Sequence, residues 1–203
     1  YLCVHLNAAQ ELAQPGGEAD SDFTKGYETI ARLVDALDGR VVVKECGTGL
    51  APGVVRRLHR AGVRAVDVSG SGGTSWVKVE ALRAQGVQAD LGTLFQGWGI
   101  PTAAATALSA GIGPQIIASG GVGDALQAAK ALALGADVVG SARPVLQAFM
   151  ADGREGVDRF LDTMIRGLKM AMLLTGSRTP VELRQAPRVI GPRLQAWLDQ
   201  AAG

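Results

Sequence analysis

A parallel α/β sheet is the fold this sequence predicts, and three observations carry the prediction. Short β-branched runs recur along the chain, and each leads through a turn containing Gly, Ser or Thr into a stretch with helical spacing. The runs are continuously apolar instead of alternating, which is the pattern of strands covered on both faces. Twenty-eight glycines and only 4% aromatic residues suit a chain with many tight strand-to-helix turns. At 203 residues, 47% apolar and 19% charged, a single domain with a full core is expected over residues 1–203.

The elements follow in order. Residues 2–6 begin extended and end in His5-Leu6-Asn7-Ala8-Ala9-Gln10-Glu11, with Gln10 and Glu11 read as turn residues. The polar, glycine-rich segment from Gly16 to Gly26 reads as a mobile loop. Val41-Val42-Val43 is a strand core running into Lys44-Glu45-Cys46-Gly47-Thr48-Gly49. Pro52 then suits a first helical turn, and Val54, Val55, Leu58 and Ala61 form one helical face. Ala65-Val66-Asp67-Val68-Ser69 is the next strand, ending in Gly70-Ser71-Gly72-Gly73-Thr74, with a helix expected over residues 76–84. Ile100-Pro101-Thr102 opens an alanine-rich helix. Ile116-Ile117-Ala118-Ser119 is a strand ending in Gly120-Gly121-Val122-Gly123. Asp124 then caps a helix with Leu126, Ala129 and Leu132 on one face, and Gly135 stops it. Val138-Val139-Gly140 is the last strand and leads into Ser141-Ala142-Arg143-Pro144; a long helix over about 157–174 and a proline-marked tail complete the chain. These are five strand-helix units, whereas an eight-stranded barrel needs about 250 residues. The pattern therefore fits either an open sheet or the rear part of a barrel.

Charge and composition remove several function classes. A formal net charge of +1 leaves no electrostatic footprint for nucleic acid or an anionic membrane. No apolar run approaches the roughly 18 residues of a membrane-spanning helix. Cys3 and Cys46 are too few for a disulfide framework and lack metal-ligand spacing. No signal segment is visible, so a cytoplasmic setting is expected.

Chemistry is expected at the strand ends, where α/β enzymes carry their sites. Gly120-Gly121 and Gly140-Ser141-Ala142 end successive strands, and glycines there let backbone N–H groups approach an anion at a helix N-terminus. Tight turns favour glycine for purely structural reasons too, so both readings stand. Lys44 is either a cation aimed into a site or a strand-tip lysine reaching solvent. Alternation points Glu45 away from Lys44, and Cys46 reads as a small buried thiol. Ser69 to Thr74 surrounds one more turn with hydroxyls and amides, and Trp76 just beyond reads as core. His5 and Asn7 are read on one strand face. Near them, Glu11 is the kind of carboxylate that holds Mg²⁺ with phosphate oxygens, or else a surface glutamate beside a hydrogen-bonded turn. His59, among Arg56, Arg57 and Arg60, reads as a solvated surface residue.

Five motifs then occur in one order: His5-Leu6-Asn7-x-x-Gln10-Glu11, Val43-Lys44-Glu45-x-Gly47, Asp67-Val68-Ser69-Gly70-x-Gly72-Gly73-Thr74, Trp98-Gly99-Ile100-Pro101-Thr102 and Ala118-Ser119-Gly120-Gly121. Together they resemble the type 2 isopentenyl-diphosphate isomerases, which are FMN-dependent (β/α)₈ TIM barrels. Leu168-Lys169-Met170-Ala171-Met172-x-Leu174-Thr175-Gly176 is similar to that family's last helix. The resemblance spans essentially the whole chain and implies that it is the carboxyl-terminal portion of such a barrel.

By that resemblance, Lys44 would lie near the flavin N1/C2 carbonyl and stabilise negative charge on the reduced ring. Ser69 and Thr74 would contact FMN, while Gly120, Gly121, Ser141 and Ala142 would bind its phosphate. His5 and Asn7 would face the substrate, Gln10 would sit beside its reacting carbons, Trp76 would lie close to the active site, and Glu11 would coordinate Mg²⁺ on the diphosphate. The implied reaction interconverts isopentenyl and dimethylallyl diphosphate with reduced FMN, regenerated by NAD(P)H (NADPH among the implied cofactors), in a homo-oligomer. Moving an unactivated double bond needs a strong acid at one carbon and a base at another, and no side chain here is an obvious carbon acid, so a cofactor carrying that step is coherent. A 2-hydroxy-acid oxidase on the same barrel would need a His and Arg pair, and the turn after Ser69 holds neither. A non-catalytic chain that binds a phosphate ligand or a partner is the third reading.

Overall fold

The computed structural model describes residues 1–15 and 22–201. Its elements run β1 (Leu2–His5), α1 (Ala8–Ala13), α2 (Gly26–Ala36), β2 (Val41–Lys44), α3 (Pro52–Arg60), β3 (Ala65–Asp67), α4 (Trp76–Arg83), α5 (Val87–Phe95), α6 (Thr102–Ser109), β4 (Gln115–Ala118), α7 (Ala125–Ala133), β5 (Val138–Val139), α8 (Arg143–Leu174), α9 (Pro180–Gln185) and α10 (Pro192–Ala201). All five strands anticipated from the β-branched runs are present.

They form one sheet in the order β1-β2-β3-β4-β5, every neighbouring pair parallel. Strand order decides between the two architectures left open above. A doubly wound sheet reverses direction at a switch point and places helices on both faces. Here the order never reverses, and right-handed crossovers taken always in one direction put the helices that pack on the sheet, α2, α3, α6 and α7, on the same side. The result is an arc of a barrel wall.

Burial confirms the one-sidedness. Val41 and Val43 of β2, Val66 of β3 and Ile116 of β4 are buried against Ile30 and Val34 of α2, Val55 and Leu58 of α3 and Ala105 of α6. The alternate residues Val42, Lys44, Ala65, Asp67 and Ile117 are only half-buried. The expectation that both faces are covered therefore fails for this inner face: the apolar residues of a barrel lumen read like those of a helix-covered face. Among the described residues β1 and β5 each pair on one side alone, and Leu2, Cys3, His5 and Val138 are exposed. A second core joins Ala118 to Ala129, Leu132 and Leu183 behind the β4–β5 end.

Several local expectations are revised. Gln10 and Glu11 belong to α1, not to a turn, because the Asn7 side chain caps that helix by accepting from the Gln10 N–H at 2.9 Å. Asn7 is consequently a cap, not a strand residue sharing a face with His5. Asp124 does cap α7, accepting from the Gln127 N–H at 2.8 Å, but Leu126 faces solvent; Ala128, Ala129, Ala131 and Leu132 form the buried side. α8 begins at Arg143, earlier than expected, and breaks at Asp152–Gly153, where Gly153 adopts φ 58°. His59 is exposed, as read. In the segment expected to be a loop from Gly16 to Gly26, residues 16–21 lie outside the described residues and Gly26 opens α2. Among the described residues no helix is long and apolar enough to cross a membrane.

Candidate functional site

A cavity of about 750 Å³ opens at the carboxyl ends of the strands, between the loops that follow β2, β3, β4 and β5. Strand register builds its floor. Lys44 pairs with Asp67, and Asp67 pairs with Ile117, so the inward-facing positions of β2, β3 and β4 stand side by side. Lys44 Nζ donates to the Glu45 carbonyl at 2.8 Å and to Cys46 Sγ at 3.0 Å. Cys46 is thus half-buried on the cavity wall beside an ammonium, which corrects its reading as a buried packing thiol. Glu45 does point the other way. It is buried, and its Oε2 accepts from the Cys46 and Thr48 N–H groups at 2.7 and 2.9 Å, shaping the turn.

Asp67 is the carboxylate of this floor. Its Oδ1 accepts from the Ser119 hydroxyl at 2.7 Å and from the Ser69 N–H at 3.0 Å. Burial raises its pKa above the ordinary carboxylate value; the Ser119 and Ser69 hydrogen bonds and the Lys44 charge partly oppose that shift. Ser69 itself adopts φ 31°, a left-handed conformation unusual for a residue with a side chain. Its carbonyl accepts from the Gly47 and Gly49 N–H groups at 2.9 and 3.1 Å, so the loop after β2 and Asp67 hold it from both ends.

The glycines of the upper wall are needed for close approach. A Cβ on Gly120 would stand 2.3 Å from the Gly70 carbonyl oxygen, and one on Gly121 would stand 2.1 Å from that of Gly72. Both residues also adopt φ near +90°. Two loops from adjacent strands thus lie backbone against backbone, with Thr102 Oγ1 donating to the Gly120 carbonyl at 2.5 Å and Ser141 Oγ to the Val122 carbonyl at 2.7 Å. Among the described residues no hydrogen bond occupies the N–H groups of Gly121, Val122, Ser141 or Ala142. Gly121, Val122, Ser141 and Ala142, with Arg143, line the cavity on its β4–β5 side, across the sheet from Lys44 of β2, and glycine-rich strand-end turns with free amides are suited to an anion.

Of the residues singled out in the sequence, Lys44, Ser69, Thr74, Trp76, Gly120, Gly121, Ser141 and Ala142 share this one cavity. Trp76 is 45% exposed on its wall, so it is not a core residue. His5, Asn7 and Glu11 line a second cavity of about 360 Å³ between α1, α2 and α3, which Glu45 also reaches. There His5 Nε2 lies 3.3 Å from Glu11 Oε1. Asn7 is buried with its Nδ2 unpaired, and Gln10 carries a buried, unpaired Oε1 while lining neither cavity. Among the described residues no three His, Cys, Asp or Glu side chains cluster as a metal site. Sequence reading passed over Asp67, Ser119 and Arg143. An acid inside an otherwise apolar strand was the signal available for the first.

The model of the family described as FMN-dependent dehydrogenase matches residues 7–189. The chain is 47% identical over 199 residues to an isopentenyl-diphosphate delta-isomerase of Symbiobacterium thermophilum, covering 97% of this chain and 54% of that protein. It is 43% identical over 202 residues to the same-named protein of Ignicoccus hospitalis, covering 97% and 55%. It thus spans about half the length of the curated relatives it matches. Among solved structures, a mandelate oxidase with benzoyl-formic acid superposes with a TM-score of 0.59 at 23% identity, covering 81% of this chain and 43% of the oxidase. That likeness shows the fold, a TIM-barrel-type wall present in part. The chain belongs to the FMN-dependent dehydrogenase family.

Proposed function

We propose that this member of the FMN-dependent dehydrogenase family holds FMN in the larger cavity and serves the interconversion of isopentenyl and dimethylallyl diphosphate. The carrying observation is the lining of that cavity: Lys44 on β2, and, across the sheet after β4 and β5, Arg143 and residues whose backbone amides make no hydrogen bond among the described residues. This suits a flat ring with a phosphate tail. The phosphate would take the Gly121, Val122, Ser141 and Ala142 amides, and Lys44 would face the ring's electron-rich edge, near Ser69, Thr74 and Trp76. When bound, reduced FMN would supply a proton-transferring ring that no side chain here replaces, and NAD(P)H would serve as its reductant.

The substrate end is the group carried by β1 and α1. His5 pairs with Lys44 across the β1–β2 ladder, so this group is one strand away from the flavin's lysine. Asn7, which lines this cavity, has its buried Nδ2 without a partner among the described residues, a cost that a polar ligand would relieve. Glu11 would hold Mg²⁺, the diphosphate and water completing the shell, since Mg²⁺ accepts one or two carboxylates beside phosphate oxygens. The isomerase name shared by the Symbiobacterium thermophilum and Ignicoccus hospitalis relatives supports the isomerase over a hydroxy-acid oxidase. The two open sheet edges favour a second reading, in which these residues bind flavin but turn nothing over until a further copy or further strands complete the wall.

The test is product formation from isopentenyl diphosphate with FMN, Mg²⁺ and dithionite or NADPH, alongside the visible spectrum after free flavin is removed. Retained flavin with dimethylallyl product supports the first reading. Retained flavin without product supports the second, and absence of bound flavin sinks both.

A further inference from the structure

We propose that Asp67 is a positioning residue of the flavin cavity, one that ties the loop after β3 to the loop after β4 so that both glycine-rich walls stand where a cofactor fits between them. The inference rests on the FMN reading and goes beyond it to a residue with no role in that reading.

Three features of the site converge on it. First, Asp67 sits on the inner face, while its neighbours Val66 and Val68 are fully buried on the outer one. Its side chain therefore serves the cavity and not the helix-packed core. Second, a single oxygen, Oδ1, accepts from two different loops, from the Ser69 N–H and from the Ser119 hydroxyl 52 residues away. Ser69 precedes Gly70–Thr74 and Ser119 precedes Gly120–Gly121, so the carboxylate stands at the root of both walls. Third, the walls meet with no slack. Gly72 and Gly73 each have room for no Cβ, because Gly120 and Gly121 backbone atoms would lie 2.7 and 2.6 Å from it. A shift of either root is passed directly to the amides that face the cavity. Ser69 needs such a tie in particular, since its left-handed conformation persists only where surrounding bonds over-determine it.

The chemistry of the tie separates it from a simple charge effect. Asparagine keeps the accepting oxygen and drops the charge, whereas alanine drops both. The experiment is an FMN titration of the full chain by flavin fluorescence quenching, with visible circular dichroism of the bound flavin, for wild type, D67A, D67N and S119A. D67A is expected to raise the Kd for FMN at least about tenfold, because two donors lose a charged acceptor. It should also alter the flavin dichroism. D67N is expected to recover most of the affinity and the native dichroism, and S119A to cost roughly threefold, the share of one of the two bonds.

D67A binding FMN as wild type does overturns the inference, and so does D67N as weak as D67A, which would make the charge and not the tie responsible. Should D67A not fold, S119A carries the test: unchanged affinity there overturns the tie between loops. Wild type that binds no FMN removes the flavin reading and this inference with it. Binding by wild type that the variants fail to alter removes the inference alone.

Discussion

The two cavities at the carboxyl end of the sheet are built from different materials. The larger one is walled by backbone: glycines pressed against a neighbouring loop, amides without partners, and a serine held in a left-handed turn. The smaller one is walled by side chains, with Glu11 on a single short helix, Asn7 as its cap and His5 at the end of β1, among Phe23, Tyr27 and Leu50. A backbone-built site tolerates no added atom but is indifferent to many side-chain identities. A side-chain-built site tolerates reshaping but loses its chemistry with one functional group. Substitutions in the first should therefore act on folding and cofactor binding together, and those in the second on turnover alone.

Gly121→Ala should strike hardest. Its Cβ would meet the Gly72 carbonyl oxygen at 2.1 Å in a backbone at φ 90°, and a loss of about 2–4 kcal/mol is expected. Thermal unfolding and flavin content after desalting should fall together; a stable variant that keeps its flavin would break the contrast. Next comes Lys44→Ala, which should weaken FMN binding by about tenfold or slow its reduction, as the cost of removing a cation from a partly dry cavity. Lys44 unaffected on both counts would return it to the solvent-reaching kind.

Glu11→Gln probes the other cavity, and Gln10→Ala the helix α1 that carries Glu11. Both should cut turnover at least about tenfold while the FMN Kd stays put, and Glu11→Gln should also raise the Mg²⁺ concentration needed for half-maximal rate. Loss of flavin from either variant would show that the two cavities act as one.

The smallest effect concerns pH. The Asp67 pKa is raised by burial above its ordinary 3.8, so the folded state holds that proton over a window in which the unfolded chain has released it. Stability from this group is greatest below 3.8 and is lost as pH rises through the raised value. Asp67→Asn removes the titration, so the Tm of the variant minus that of wild type should climb as pH rises from the ordinary 3.8 and level off above the raised value. A flat difference would mean that the Ser69 and Ser119 hydrogen bonds and the Lys44 charge fully offset the burial.

Much of this molecule was legible before folding. Parallel strands are short β-branched runs, and Val41–Val43 or Ile116–Ile117 announce themselves without tertiary help. Helices were harder. α5 starts at Gly86 without a side-chain cap and carries Gly92 within it. That glycine exists because a Cβ there would lie 2.7 Å from the Ala81 Cβ of α4, a reason that belongs to the packing of two helices and leaves no mark in local spacing. α2 likewise lacks a capping side chain at Lys25, and α1 is six residues long, so short that its cap, Asn7, reads as part of a strand end.

The sequence by itself determined the strands, the placement of glycine and charge at their carboxyl ends, and the family. Propensity, turn chemistry and motif order are local properties, written within a few residues of one another. Tertiary structure alone decided that α2, α3, α6 and α7 pack on one face of the sheet and leave the other to the cavity. It also decided that Asp67 joins two loops whose serines stand fifty residues apart in sequence. The reason is register. Which inward position of one strand stands beside which of the next is set by pairing across the sheet, and every contact between loops inherits that choice.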